Sequence, residues 1–154
     1  MDVLELFLAG LAGLLAGTMN AVAGGGTFVT VPTLIALGVP SVTANMTSTV
    51  ALFPGAVTSA WAFRKDFRDF SEVPVKTLLF VSLVGGATGA MLLIFTPSKA
   101  FDALIPWLLL LGSIAFAFGK QIGDWLRQRV SMGKGALLAT QFMLGVYGGY
   151  FGGA

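Results

Sequence analysis

The sequence predicts an all-α integral membrane protein, and three observations carry that prediction. Hydrophobic residues make up 56% of the 154 residues, and charged residues only 10%; a soluble domain carries about 25% charged residues. The apolar residues fall in runs near the roughly 20 residues that a membrane-spanning helix needs. The charges fall in the breaks between those runs. A small soluble globule still exposes much of its chain and could not hide this much apolar surface. A bilayer removes that constraint, so the lipid bilayer is the first expected partner.

The first apolar region runs from Val3 to about Leu37, broken by Gly24-Gly25-Gly26 and by Pro32. Three glycines in a row cannot hold a membrane helix straight, since each costs about 1 kcal/mol relative to Ala. A broken or re-entrant segment is expected here, with a second helix starting near Thr27. The second region runs from about 42 to 63 and contains Pro54, where a kink is expected. The third runs from about 75 to 95 and the fourth from about 101 to 118. A cytoplasmic loop is expected over 119–134, and a fifth apolar region opens at Gly135 and runs to Ala154.

Charge sets the orientation. Arg64-Lys65-Asp66-Phe67-Arg68-Asp69 follows the second region, and Lys120, Asp124, Arg127, Arg129 and Lys134 follow the fourth. Both are short and rich in Lys/Arg, which places them in the cytoplasm. The link Thr96-Pro97-Ser98-Lys99 then faces outside, two crossings away. Phe63-Arg64, Trp125 and Lys76 read as interfacial anchors. Ala21-Val22-Ala23 has the form of a signal-peptidase site, but Asp2 and Glu5 open the chain without a Lys or Arg, which a secretory signal requires.

The end of the chain resembles its beginning. Residues 14–26, LLAGTMNAVAGGG, align with residues 142–154, FMLGVYGGYFGGA. Gly17 pairs with Gly145, Gly24 with Gly152 and Gly25 with Gly153. By the charge rule the two copies enter the membrane from opposite faces. The fold expected is therefore a helical bundle with a broken first segment, forming the first half of an inverted repeat. Residues 1–134 would be the first repeat and 135–154 the start of the second. A complete duplication would need about another hundred residues, so the sequence reads as a fragment or as one half of a protein that pairs with another half.

Two segments carry candidate chemistry. At Asn20, Gly24, Gly25, Gly26 and Thr27, a helix start at membrane depth would aim backbone N–H groups and a dipole at one spot, an anion site. Such backbone survives in a membrane only where protein or a watery cavity surrounds it. The competing reading is close helix packing, which Gly13-x-x-x-Gly17 and Gly85-x-x-x-Gly89 fit better. The second segment is Ala44-Asn45-Met46-Thr47-Ser48-Thr49. Asn45 would cap the second helix, and Thr47, Ser48 or Thr49 would point donors into a cavity, or bond between helices.

Other chemistry is excluded. The chain has no Cys and no His, so it offers no disulfide, no thiolate, no His-ligated metal and no Ser/His dyad. No ionisable residue lies deep inside an apolar region, and no carboxylate pair is evident. No metal, no cofactor and no enzymatic activity are expected. A net charge of +2 is too small to argue for nucleic acid. Dinucleotide and phosphate-loop motifs fail on spacing.

The motifs in order resemble a known family. Gly17-x-x-Asn20-Ala21-x-Ala23-Gly24-Gly25-Gly26, Val31-Pro32, Leu37-Gly38-Val39-Pro40, Ala44-Asn45-x-Thr47-Ser48, Pro54-Gly55 and an Arg64-Lys65 end resemble the TauE/SafE family. Its members are called sulfite exporters or sulfonate permeases. The resemblance covers the N-terminal half of the family pattern; the second signature begins at Gly145. It implies a duplicated, multi-pass carrier of the bacterial inner membrane. It further implies a small sulfur-containing or organic anion as substrate, held near Gly25, Gly26, Thr27, Asn20, Asn45, Thr47 and Ser48. Tyr147 and Tyr150 of the second copy would donate hydroxyls. The competing expectation is a non-transporting membrane subunit or half-transporter scaffold that needs a second half or a homo-oligomer.

Overall fold

The computed structural model describes residues 3–22, 24–65, 73–129 and 133–152. Asp2, Ala23, the run Asp66 to Asp69, Glu72, the last two residues, and the side chains of Asp124, Trp125, Arg127 and Arg129 lie outside the described residues. The described chain forms six helices: α1 Val3–Val22, α2 Thr27–Ala36, α3 Ser41–Ala62, α4 Val75–Phe95, α5 Ser98–Arg129 and α6 Lys134–Phe151. The fold is all-α, as expected. By length and composition α1, α4 and the Ser98–Gly123 part of α5 can each cross a membrane.

The first segment breaks at the glycines. Gly24 and Gly25 take φ values of 77° and 80°, a region that costs an L side chain about 1–2 kcal/mol. The amide of Gly24 closes α1 on the carbonyl of Asn20 at 3.2 Å, and Gly26 caps α2 by accepting from Val29 and Thr30 at 3.1 Å. With ten residues, α2 is about 15 Å long, half of a hydrocarbon core of about 30 Å.

Pro32 does not break this segment; it lies inside α2. Pro is more frequent in membrane helices than in soluble ones. The carbonyl that a Pro32 amide would have bonded is that of Phe28; beside it, Thr33 Oγ1 donates to the carbonyl of Val29 at 2.7 Å. Pro54 likewise lies within α3, where Thr58 Oγ1 bonds back to the carbonyls of Pro54 and Gly55 at 3.0 and 2.9 Å.

Helix α2 folds back between α1 and α3. Gly26 packs against the carbonyl of Ala16 and the side chain of Leu52, so tightly that a Cβ there would stand 2.5 Å from the Ala16 oxygen. Further along, Thr30 meets Ser48, and beyond it Leu34 faces Ala9 and Gly13. This contact order makes α2 antiparallel to both neighbours, and α1 parallel to α3.

Helices α4 and α6 form the closest pair. A Cβ on Gly85 would stand 2.6 Å from the carbonyl oxygen of Phe142, and one on Gly145 would stand 3.0 Å from that of Ser82. On Gly89 or Gly149 it would collide with the backbone of Val146 or Gly86. Gln141 Nε2 ties the pair by donating to Ser82 Oγ at 2.5 Å. The order of contacts makes the two helices parallel. Small residues that let backbones approach are how helices associate in lipid, where no hydrophobic force drives them together. Gly85-x-x-x-Gly89 is thus a packing motif, as expected. Around Gly13 and Gly17 there is no neighbour within 4 Å of an added Cβ.

Helix α5 corrects one boundary. The fourth apolar region ends near Phe118, but the helix runs on to Arg129. Residues 119–129 are helix rather than loop. The apolar signal ends where lipid ends, while Lys, Gln, Leu and Arg remain good helix formers in water.

One buried cluster joins Leu93, Phe101, Ile105 and Phe151, with Phe28, Ile35, Tyr147 and Tyr150 packed on it. Large apolar side chains point outward instead, among them Leu14, Val50, Leu83 and Trp107, each about 70% exposed. Such outward-facing apolar surface suits contact with lipid or with further membrane helices. At one rim the Arg64 guanidinium lies 4.2 Å over the Trp61 ring and donates to the Trp61 carbonyl at 2.7 Å. The anchor expected at Phe63-Arg64 therefore pairs the cation with Trp61.

Candidate functional site

The glycine turn, the start of α3 and the end of α6 converge. Thr27, the first residue of α2, is buried, and its hydroxyl donates to the carbonyl of Gly152 at 2.6 Å. Gly152 ends α6 with φ 67°. A Cβ there would collide with Thr49 Oγ1. Asn45, also buried, donates through Nδ2 to the carbonyl of Tyr150 at 3.0 Å. The broken segment near the start of the chain and the helix end near its close are thus bonded together.

Asn45 does not cap α3. That helix starts at Ser41 after Pro40, with no side-chain cap, and Asn45 sits one turn inside. Its amide faces α6 because a helical residue at this position points sideways into the bundle rather than along the axis. Its Oδ1 and the hydroxyl of Ser41 are buried without a partner among the described residues.

Ser48 lies one turn further along α3, buried, with its hydroxyl on that of Thr30. Thr30 also bonds the carbonyl of Gly26 at 3.2 Å. Thr47 is exposed and lines a narrow groove between α1, α2 and α3 together with Ser48, Thr30 and Thr33. Asn20 is half-buried beside Gly55, 3.9 Å from where a Cβ of that glycine would stand.

The two tyrosines are tied to their own chain. Tyr147 donates to the carbonyl of Leu108 in α5 at 2.8 Å, and Tyr150 donates to Thr96 Oγ1 at 3.2 Å. Their rings pack on Phe151 and Phe101.

A recess of about 470 Å³ opens beside the turn, lined by Met19, Gly24, Gly25, Phe28, Ser113, Phe116 and Ala117. The Phe28 ring stands edge-on to both Phe116 and Phe151, 5.6 and 5.9 Å away. Gly112 leaves room for it: a Cβ on Gly112 would collide with the Phe28 ring. None of the lining residues is ionisable. The recess gathers Gly24 and Gly25 from the expected site, while Thr27, Asn45 and Tyr150 form the joint behind it.

Sequence reasoning passed over Thr30, Phe28 and Ser113. Thr30 had a signal: Thr27-x-x-Thr30 on α2 and Asn45-x-x-Ser48 on α3 are polar pairs at helical spacing in apolar surroundings. Ser113 and Phe28 had none, because only the tertiary fold brings α5 to the glycine turn.

A half-length helix with its start buried in an apolar bundle, against another helix end, defines a membrane protein of the broken-helix class. The chain belongs to the sulfite exporter TauE/SafE family, which it matches over residues 9–154. A "Probable membrane transporter protein" of Haemophilus influenzae is 31% identical over 153 residues, covering 99% of this chain and 58% of that protein. The "Probable membrane transporter protein YfcA" of Escherichia coli K12 is 28% identical over 140 residues, 90% of this chain and 51% of that protein. The chain thus spans little more than half the length of these relatives, which are named as transporters and not as enzymes. No solved structure matches it significantly.

Proposed function

We propose that this chain supplies the first repeat, and the opening of the second, of an inverted-repeat carrier for small anions in the bacterial inner membrane. Sulfite, sulfonates and other sulfur-containing organic anions are the substrate class, as the name of the family suggests. The observation that carries the reading is the half-helix α2, which starts at a positive-φ glycine turn next to a recess.

Three further points support it. Gly24 and Gly152, paired in the repeat, both take positive φ, 77° and 67°. Helix α1 parallels α3, and α4 parallels α6. With both ends of the 63–74 link on the Arg64-Lys65 face, α1 and α6 cross the bilayer in opposite senses. The residue types at the turn also suit the task. An anion would sit at the start of α2, on the amides of Gly25, Gly26 and Thr27 and the positive end of the helix dipole.

In this reading Thr27, Asn45, Ser48, Tyr147 and Tyr150 hold the two broken segments in register. Asn20 lies at the edge of the turn, and Thr47 faces the narrow groove. With no cation in the recess lining, dipoles and hydrogen bonds hold the anion, which allows it to leave again. Alternating access follows from rocking one repeat against the other around this point.

Thermal unfolding of the whole protein tests the proposal. Sulfite or a short alkyl sulfonate is expected to raise Tm over chloride at equal ionic strength, by the equivalent of about 2.7 kcal/mol at a hundred times Kd. Gly25→Ala should abolish the rise. No sulfur oxyanion raising Tm would overturn the substrate class.

A second reading is a non-transporting subunit or scaffold that needs a partner half. It is favoured by the engagement of Thr27, Asn45, Tyr147 and Tyr150 with the chain itself. It expects a copurifying partner and no anion dependence.

A further inference from the structure

Helix α6 shows what a packed face looks like in this repeat. It offers the 142, 145, 146 and 149 positions to Gly85, Gly86 and Gly89 of α4. In the repeat alignment these correspond to Leu14, Gly17, Thr18 and Ala21 of α1, spaced as one helical face. On α1 that face is bare. Leu14 is 70% exposed, Thr18 and Ala21 are exposed, and a Cβ on Gly17 would meet nothing within 4 Å. The residues that α1 does bury, Ala12 and Ala16, lie on its opposite side. The Thr18 hydroxyl bonds back to the carbonyl of Leu14 at 2.8 Å, so the face carries no unmet polar group from that side chain.

We infer that this face of α1 docks the second repeat's counterpart of α4: an apolar membrane helix with a small-residue face, running parallel to α1. The α4–α6 pair is the worked example of the contact, seen from the other repeat. The H. influenzae relative has room for such a helix, since the match covers only 58% of it. The inference rests on the inverted-repeat part of the proposed function and not on its substrate.

The chain has no Cys, so single cysteines report cleanly. Gly17→Cys and Ala21→Cys mark the face, and Leu8→Cys and Leu15→Cys mark exposed positions on another side of the helix. Each is labelled in vesicles with a lipid-soluble maleimide, in the chain alone and in the chain fused to the unmatched part of the H. influenzae relative. Labelling at 17 and 21 should be about tenfold slower in the fusion, the scale of a packed face that opens only locally, with 8 and 15 unchanged. The same scan at the aligned positions of the intact relative, against a version cut where the match ends, covers a fusion that does not fold. Equal labelling of all four positions in both proteins overturns the inference. So does protection of 17 in the chain alone with a disulfide-linked dimer at that position, which would assign the face to a second copy. These readouts record packing, so they fail independently of any anion effect on Tm.

Discussion

Gly24 and Gly25 are neighbours with nearly the same backbone, yet their substitutions are expected to differ. Both hold φ near 80°, so Ala at either costs about 1–2 kcal/mol of strain. At Gly24 the nearest atom to a Cβ is on Phe116, 3.9 Å away, which is ordinary contact. At Gly25 the Phe116 and Phe28 rings stand 3.0 and 3.1 Å away, which adds about 1–3 kcal/mol of overpacking. Gly25→Ala should therefore lower stability about twice as much as Gly24→Ala, read as the midpoint of unfolding in detergent. Asn45 poses a finer balance. Replacing it with Leu takes a donor from the Tyr150 carbonyl but also removes an Oδ1 that is buried without a partner. Interhelical hydrogen bonds in membranes average about 0.6 kcal/mol. Asn45→Leu should then cost at most about 1 kcal/mol, and a loss several times larger would show that Oδ1 has a partner in the whole protein. The break at the glycine turn was legible from three adjacent glycines. Partners of Asn45, Tyr147 and Tyr150 were not, because each bonds a carbonyl or hydroxyl of a distant segment, and composition does not tell which.

Among the elements, α4 and α6 depend most on missing side chains. A Leu at Gly89 would meet the Val146 and Tyr150 backbone, which cannot move aside as a side chain can. Gly89→Leu is expected to part the two helices. A disulfide between cysteines placed at Ser82 and Gln141, whose side chains are hydrogen-bonded, should form in the parent and fail in the variant. Bounds of α4 could be read from sequence because Pro74 and Pro97 flank a uniformly apolar run. Those of α5 could not: with 32 residues it is about 48 Å long, and hydropathy marks only the part in lipid. Pro32 misled for a related reason, since a proline is a helix breaker in water but is tolerated within a membrane bundle.

At the scale of the whole molecule, the charges predict an orientation, and the helix directions constrain it further. Helix α3 ends at Arg64-Lys65, α4 returns, and α5 comes back toward the end that carries Lys120. The face holding Lys65 also holds Lys134, while Lys99 sits at the opposite end of α4 and α5. Basic residues in short links stay in the cytoplasm. Single cysteines at 65, 99 and 134 in intact cells are therefore expected to split two against one. A membrane-impermeant maleimide should label position 99 after opening the outer membrane, and positions 65 and 134 only after lysis. If 65 and 134 label on different sides, an odd number of crossings separates them. In that case α1 and α6 no longer enter from opposite faces, and the inverted repeat fails at its first requirement. If 99 alone labels from outside, the recess beside Gly24 and Gly25 lies in a bundle whose two glycine-ended segments approach it from opposite sides of the bilayer, the geometry on which alternating access depends.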